Sequence, residues 1–255
     1  MSARSALRGA RAAFVFLTRI PIGGFPYAGD EWRWSVAHFP LVGALLGALL
    51  GCVDRGLLPL GEFPAALGTI AASLLLTGAF HEDGLADTSD ALGGAFDRDK
   101  MFAILKDSRI GAFGACALIV SIVGRAALLA RLGQYAAWAL PLVGAVARVG
   151  PIWQLAILPY VTPDGVARSS GVARAGFVQA SVGTAWALGV ALGLASTRHL
   201  NGVRAAGVFG AVAAVAAVTG WRYVRRAGGI TGDFLGATEQ LCELSVLGVL
   251  AWPGG

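Results

Sequence analysis

Long apolar runs separated by short polar interruptions organise the chain. Runs rich in Leu, Val, Ala and Gly fall at about 35–53, 64–80, 112–131, 136–159, 175–196, 203–220 and 235–251. Several sit near the lower limit of about 17 residues for a helix that crosses a bilayer. The pattern predicts an all-α, polytopic membrane helix bundle of about seven transmembrane helices. The opening stretch, "MSARSALRGARAAFVFLTRIP", is basic and then briefly apolar, and Thr18, Arg19 and Pro21 stand where a signal peptide needs small residues. It predicts an N-terminal interfacial helix on the membrane surface. One integral membrane domain, 1–255, is expected, interrupted by a single long polar segment at 81–111.

Composition agrees with lipid as the main solvent. Of 255 residues, 56% are hydrophobic and 14% charged, against about 25% charged in soluble domains. Thirty-seven glycines suit close helix packing in a membrane. The net charge of +5 forms no basic face with interleaved aromatics, so nucleic-acid binding is not expected. Cys52, Cys116 and Cys242 make neither a CxxC pair nor a disulfide framework and read as small buried hydrophobes. Trp32, Trp34, Trp138, Trp221 and Trp252 fall near proposed span ends, as an interfacial belt would.

Basic residues set the expected orientation. With seven spans and an inside N-terminus, the inside segments hold Arg4, Arg8, Arg11, Arg19, Arg33, Arg98, Lys100, Lys106, Arg109, Arg168, Arg174, Arg222, Arg225 and Arg226. Only Arg55, Arg131, Arg198 and Arg204 lie in or beside the outside loops, while Arg125 and Arg148 lie within spans. The bias places 81–111 and the turn around Asp233 in the cytoplasm.

The acids are concentrated. Seven of the fifteen Asp and Glu residues, Glu82, Asp83, Asp87, Asp90, Asp97, Asp99 and Asp107, lie within 82–107. On a helix, Asp83, Asp87 and Asp90 share an arc of roughly 60°. Like charges four apart repel, and a hard divalent cation such as Mg²⁺ would offset that. A macrodipole preference for acids at a helix N-terminus would account for Asp83 alone. "KDSRIGAFGA" (106–115) places Lys106, Asp107, Ser108 and Arg109 before an apolar helix, either as phosphate contacts or as a membrane flank. "GGITGDFLGATEQLCEL" (228–244) returns the chain to the membrane with Asp233 level with the acidic segment and Glu243 deep in an apolar run. Arg148, mid-span, needs an acid or an anionic ligand; Arg125, nearer an end, is expected to snorkel. His81 adjoins the acids.

These residues resemble a known family. "FHEDGLADTSDAL", "KDSRIGAFG" and "GGITGDFLGA…E", together with "FLTRIP" (16–21) and "FPLVGALLG" (39–47), resemble blocks of the cobalamin-5′-phosphate synthase family, in the right order over most of the length. The resemblance implies a multi-pass enzyme of the bacterial inner membrane with a cytoplasmic active site. It would join adenosylcobinamide-GDP to α-ribazole or its 5′-phosphate with release of GMP, using Mg²⁺. Asp83, Asp87 and Asp90 would then hold the metal, with Asp233 completing its shell or orienting the ribazole. Asp90 would accept the hydroxyl proton, with Lys106 and Arg109 holding phosphate oxygens. His81, Asp107, Ser108, Arg148 and Glu243 would contact substrate. Glu82 stands where the family pattern has an apolar residue. A homo-oligomer is allowed. Two other readings stay open: a CDP-alcohol phosphotransferase, which wants an Ala-Arg pair where Ala86 is followed by Asp87, and an ion-coupled transporter using Glu243 and Arg148 near the midplane.

Overall fold

The structure, a computed structural model, describes residues 3–23, 27–162, 165–166 and 175–253. Arg168 and Arg174, counted above among the inside charges, lie outside the described residues. Its helices run α1 (Ala3–Leu17), α2 (Gly29–Leu57), α3 (Glu62–Thr77), α4 (Phe80–Gly94), α5 (Arg98–Leu105), α6 (Ala112–Leu132), α7 (Ala136–Ala147), α8 (Val149–Ile157), α9 (Phe177–Ser196), α10 (Gly202–Ala227) and α11 (Gly232–Ala251). Two two-residue strands, β1 (Val161–Thr162) and β2 (Gly165–Val166), pair antiparallel between α8 and α9. The all-α expectation is met.

By length and hydropathy, five segments can cross a membrane: Gly29–Leu60, Ala112–Ile157, Phe177–Ser196, Gly202–Ala227 and Gly232–Ala251. The α3–α4 pair, bent by 92°, makes a sixth if taken as one span. The expected count of seven is therefore not reached on these criteria. The apolar runs 112–131 and 136–159 are joined by one 3-10 turn at Gly133–Tyr135 and count as a single 46-residue segment by length and hydropathy, although the chain doubles back there and brings Arg125 and Arg148 to the same Glu243. The run 64–80 breaks at Gly78 and Ala79, both in the left-handed region. For Ala79 that conformation costs roughly 1–2 kcal/mol, so the bend is imposed by its surroundings.

Close packing follows the glycines. Gly43, Gly47 and Gly51 form a ridge on α2 that faces Gly144, Leu140 and Ala137 of α7, so the two helices run antiparallel. A Cβ at Gly51 would lie 2.6 Å from the Ala137 carbonyl oxygen, and only small residues allow backbones this close. The helix α6 leads away from α4 and ends beside Glu62 at the start of α3; α7 returns along α2. The apolar windows of α2 and α11 are each 61% buried and that of α10 only 11%, so α2 and α11 are central and α10 peripheral. Ile119, Val120 and Val123 of α6, Leu192 of α9 and Val203 and Val218 of α10 are exposed and give the bundle an apolar outer surface. Cys52 and Cys116 belong to that exposed surface, contrary to expectation, and only Cys242 is buried.

Candidate active site

The bend between α3 and α4 aims α4 at the first turns of α11. Gly84 lies against the Asp233 backbone: a Cβ there would come 2.8 Å from the Asp233 carbonyl oxygen. One turn on, Gly236 faces His81, with a hypothetical Cβ 3.4 Å from its Cα. The glycine of the DGLAD stretch and the second glycine of GDFLG are thus what let the two helices meet. In consequence Asp83, Asp87 and Asp233 share one rim of the bundle. The charges of Asp83, Asp233 and Asp90 all act on Asp87. Asp83 is exposed, and Asp87 and Asp233 are half-buried.

None of these three carboxylates has a Lys, Arg or His within 4.0 Å among the described residues. Nor, among the described residues, do any three His, Cys, Asp or Glu side chains enclose a position for an ion. The rim therefore offers free, hard oxygen donors from two helices but no closed protein cage.

Asp90, at the far end of the stripe, is engaged differently. Its Oδ2 accepts the Gly111 N–H at 2.7 Å and its Oδ1 the Gly114 N–H at 2.9 Å. These are among the donors that the start of α6 leaves without an intrahelical partner, so Asp90 caps α6 from a different helix. The residues it was expected to serve, the metal and the attacking hydroxyl, would have to compete with both bonds. Through this cap, Asp90 ties the loop 106–111 to the acidic helix.

Within that loop Lys106 and Ser108 are exposed, and their side chains have no hydrogen-bond or ion-pair partner among the described residues. Arg109 is pinned by Asp107: its Nε and Nη2 lie 3.0 and 2.7 Å from the two carboxylate oxygens, and its backbone N–H donates to Oδ1 at 3.1 Å. This bidentate pair holds the Asp107 carboxyl at about 2, first through the Arg109 side chain and then through its backbone. Arg109 is 86% exposed, so its Nη1, which Asp107 does not engage, remains accessible to an anion.

Behind the rim lies a second set of charges that the sequence only half revealed. Arg125, expected to snorkel, is 1% exposed. Its Nη2 reaches Glu82 Oε1 at 2.9 Å and its Nη1 reaches Glu243 Oε2 at 2.8 Å. Snorkelling fails because Arg125 faces the bundle interior, where two carboxylates meet it. Arg148 approaches Glu239 at 3.1 Å and Glu243 at 4.0 Å, and donates to the Gly144 carbonyl at 2.6 Å. His81 is buried with Nδ1 3.7 Å from Glu239. A cavity of about 80 Å³, lined by His81, Arg148, Glu239, Tyr160 and Gly232, reaches from this network to the start of α11. Glu82 thus turns away from the rim and adds no acid to it.

The family described as Cobalamin-5-phosphate synthase matches residues 9–251. This chain belongs to that family. It is 39% identical to the adenosylcobinamide-GDP ribazoletransferase of Rhizobium etli (strain CFN 42) over 252 residues, covering 94% of each chain. It is 38% identical to those of Albidiferax ferrireducens, over 90% of this chain and 92% of that one, and Leptothrix cholodnii, over 95% and 94%. No solved structure matches. Family membership makes the protein a transferase, and its apolar helices make it a multi-pass membrane protein.

Proposed function

We propose that the protein joins adenosylcobinamide-GDP to α-ribazole, or to α-ribazole 5′-phosphate, giving adenosylcobalamin or its 5′-phosphate and GMP. The reaction is a phosphoryl transfer: the ribazole hydroxyl attacks the cobinamide-linked phosphorus, a P–O bond forms, the bond to GMP breaks and the hydroxyl proton leaves. Such transfers depend on positioning and on neutralising phosphate charge more than on covalent help. The supporting observation is the gathering of Asp83 and Asp87 with Asp233, 146 or more residues away in the chain, on one rim without a basic partner among the described residues.

Mg²⁺ suits that donor set, because it is commonly held by one or two carboxylates together with waters and substrate phosphates, without a closed cage. Asp83, Asp87 and Asp233 would hold it, and it would supply neutralisation of the pyrophosphate charge. The chain's own residues supply the rest. The loop capped by Asp90 carries Lys106 and Arg109 to the phosphate oxygens, with Ser108 available as a hydrogen-bond donor. The carboxylate nearest the hydroxyl takes its proton; with Asp90 committed to two N–H groups, Asp87 is better placed for that role than Asp90. His81, Arg148 and Glu243 line or border the passage behind the rim and position the substrate from within. The basic residues expected inside, Arg98, Lys100, Lys106 and Arg109, lie on the same side as the acids, which supports a cytoplasmic active site in a bacterial inner membrane.

The test is GMP release by purified full-length protein in detergent with both substrates. Release that requires both substrates and Mg²⁺, and disappears after chelation, is expected. Hydrolysis without ribazole incorporation would remove the transfer, and undiminished activity in chelator would remove the metal.

A further inference from the structure

At the opposite end of the bundle from the acidic rim, a cleft of about 720 Å³ opens between the ends of α6, α9 and α11 and the starts of α7 and α10. Three of the four arginines that the charge count leaves on the minority side, Arg131, Arg198 and Arg204, line it. No Asp or Glu side chain lies within 4.0 Å of any of them among the described residues. The side chains of two are held, among the described residues, by carbonyl oxygens alone: Arg131 Nε donates to Ala251 at 2.8 Å and Arg204 Nη2 to Trp252 at 3.4 Å. Arg198 adopts φ 60°, a left-handed conformation uncommon for a residue with a side chain.

The surroundings are those of a membrane boundary. Trp138, with its ring 4.6 Å from that of His199, and the exposed Tyr135 and Trp252 frame the cleft. Such rings settle at headgroup level. Leucines, including Leu132, Leu194 and Leu250, supply its apolar wall. Arginine on the minority side works against the positive-inside bias, so three of them converging on one cleft, with no carboxylate within 4.0 Å among the described residues, call for an anion. A soluble anion would match the guanidinium groups but not the leucine wall; a phospholipid matches both, with phosphate among the arginines and acyl chains along the leucines.

We propose that this cleft binds the headgroup of an anionic phospholipid in the leaflet at that end of the bundle. The site is distant from the acidic rim and does not depend on the reaction assigned to it.

The experiment uses full-length protein in detergent, titrated separately with phosphatidylglycerol, phosphatidylcholine and inorganic phosphate, with binding read by native mass spectrometry and by the melting temperature. Phosphatidylglycerol should bind and raise the melting temperature, and the other two should do neither. The double variant R198Q/R204Q should weaken phosphatidylglycerol binding roughly twenty-five-fold, at roughly fivefold per arginine. The control R222Q/R225Q, at the other end of α10, should leave it unchanged. If the double variant does not fold, R198Q alone serves, since no partner of that side chain is lost, and should weaken binding roughly fivefold. Equal binding of phosphatidylcholine, equal stabilisation by inorganic phosphate, or unchanged phosphatidylglycerol affinity in the arginine variants would overturn the proposal.

Discussion

The helix α4 carries two groups of charge that are treated in opposite ways. His81 and Glu82 point into the bundle, where Glu82 meets Arg125 and His81 approaches Glu239. Asp83 and Asp87 point to the rim, where Asp233 joins them and, among the described residues, no basic side chain comes within 4.0 Å. Buried ions without partners are prohibitively costly, so the interior group is compensated by the protein itself. At the rim, water makes unpaired acids tolerable, and compensation can be left to whatever binds there. The comparison separates two kinds of charge on one helix: the first is paired among the described residues, and the second is left open.

The largest effect should come from breaking the interior pairing. Arg125→Ala strands Glu82 and leaves Glu243 to Arg148, so a loss of about 3–5 kcal/mol of stability is expected. Thermal unfolding in detergent measures it. A loss below about 1 kcal/mol would mean that the interior charges are not coupled in this way. Removing rim charge should do the reverse. Asp87→Asn is expected to lower GMP release at least about a hundredfold, since even outer-shell changes at metal sites cost about 10–100-fold. Its melting temperature should hold or rise slightly, because relief of a like-charge pair is worth only a few tenths of a kcal/mol. If Asp87→Asn proved as destabilising as Arg125→Ala, the two groups would not differ in kind.

Asp90 sits between these extremes, on the rim stripe but with both oxygens occupied. Asp90→Asn turns an N–H toward one of two backbone donors, so a loss of about 1.5–3 kcal/mol is expected from charge-assisted bonds. Activity should fall in step with the loosening of the 106–111 loop. Raising Mg²⁺ should not rescue it, whereas a metal ligand's variant would respond to the metal concentration.

Much of this was legible in the chain. Apolar runs foretold the helices, and the spacing of Asp83, Asp87 and Asp90 foretold their shared stripe. Asp233 could be placed near them from where its run re-enters the membrane. What escaped was partnership across distant segments. Arg125 and Glu82 are 43 residues apart and Arg125 and Glu243 are 118 apart, and no local spacing encodes such pairs. One signal was present: two in-span arginines, Arg125 and Arg148, beside the in-run Glu239 and Glu243, a charge balance that argues for mutual burial. The role of Asp90 escaped for a similar reason, since its ligands are backbone N–H groups that a sequence does not display. The break at Ala79 escaped because alanine gives no sign of a left-handed turn.

The smallest predicted effect bears most directly on how rim and interior are held together. Gly84 lies between Asp83 and Leu85, and its missing Cβ is what allows α4 to rest on the first turn of α11. A Cβ there would come 2.8 Å from the Asp233 carbonyl oxygen and 3.1 Å from its Cα. Both are backbone atoms of a helix start and cannot rotate aside as a side chain would. Gly84→Ala must therefore push α4 away from α11, at about 1–3 kcal/mol, partly offset by alanine's better helix propensity of about 1 kcal/mol. The net change in melting temperature should be small. The change at the rim should not be, because the same shift separates Asp83 and Asp87 from Asp233. A raised Mg²⁺ requirement for GMP release with little loss of stability is the expected outcome. An unchanged metal requirement would mean that Asp233 does not act together with the α4 acids.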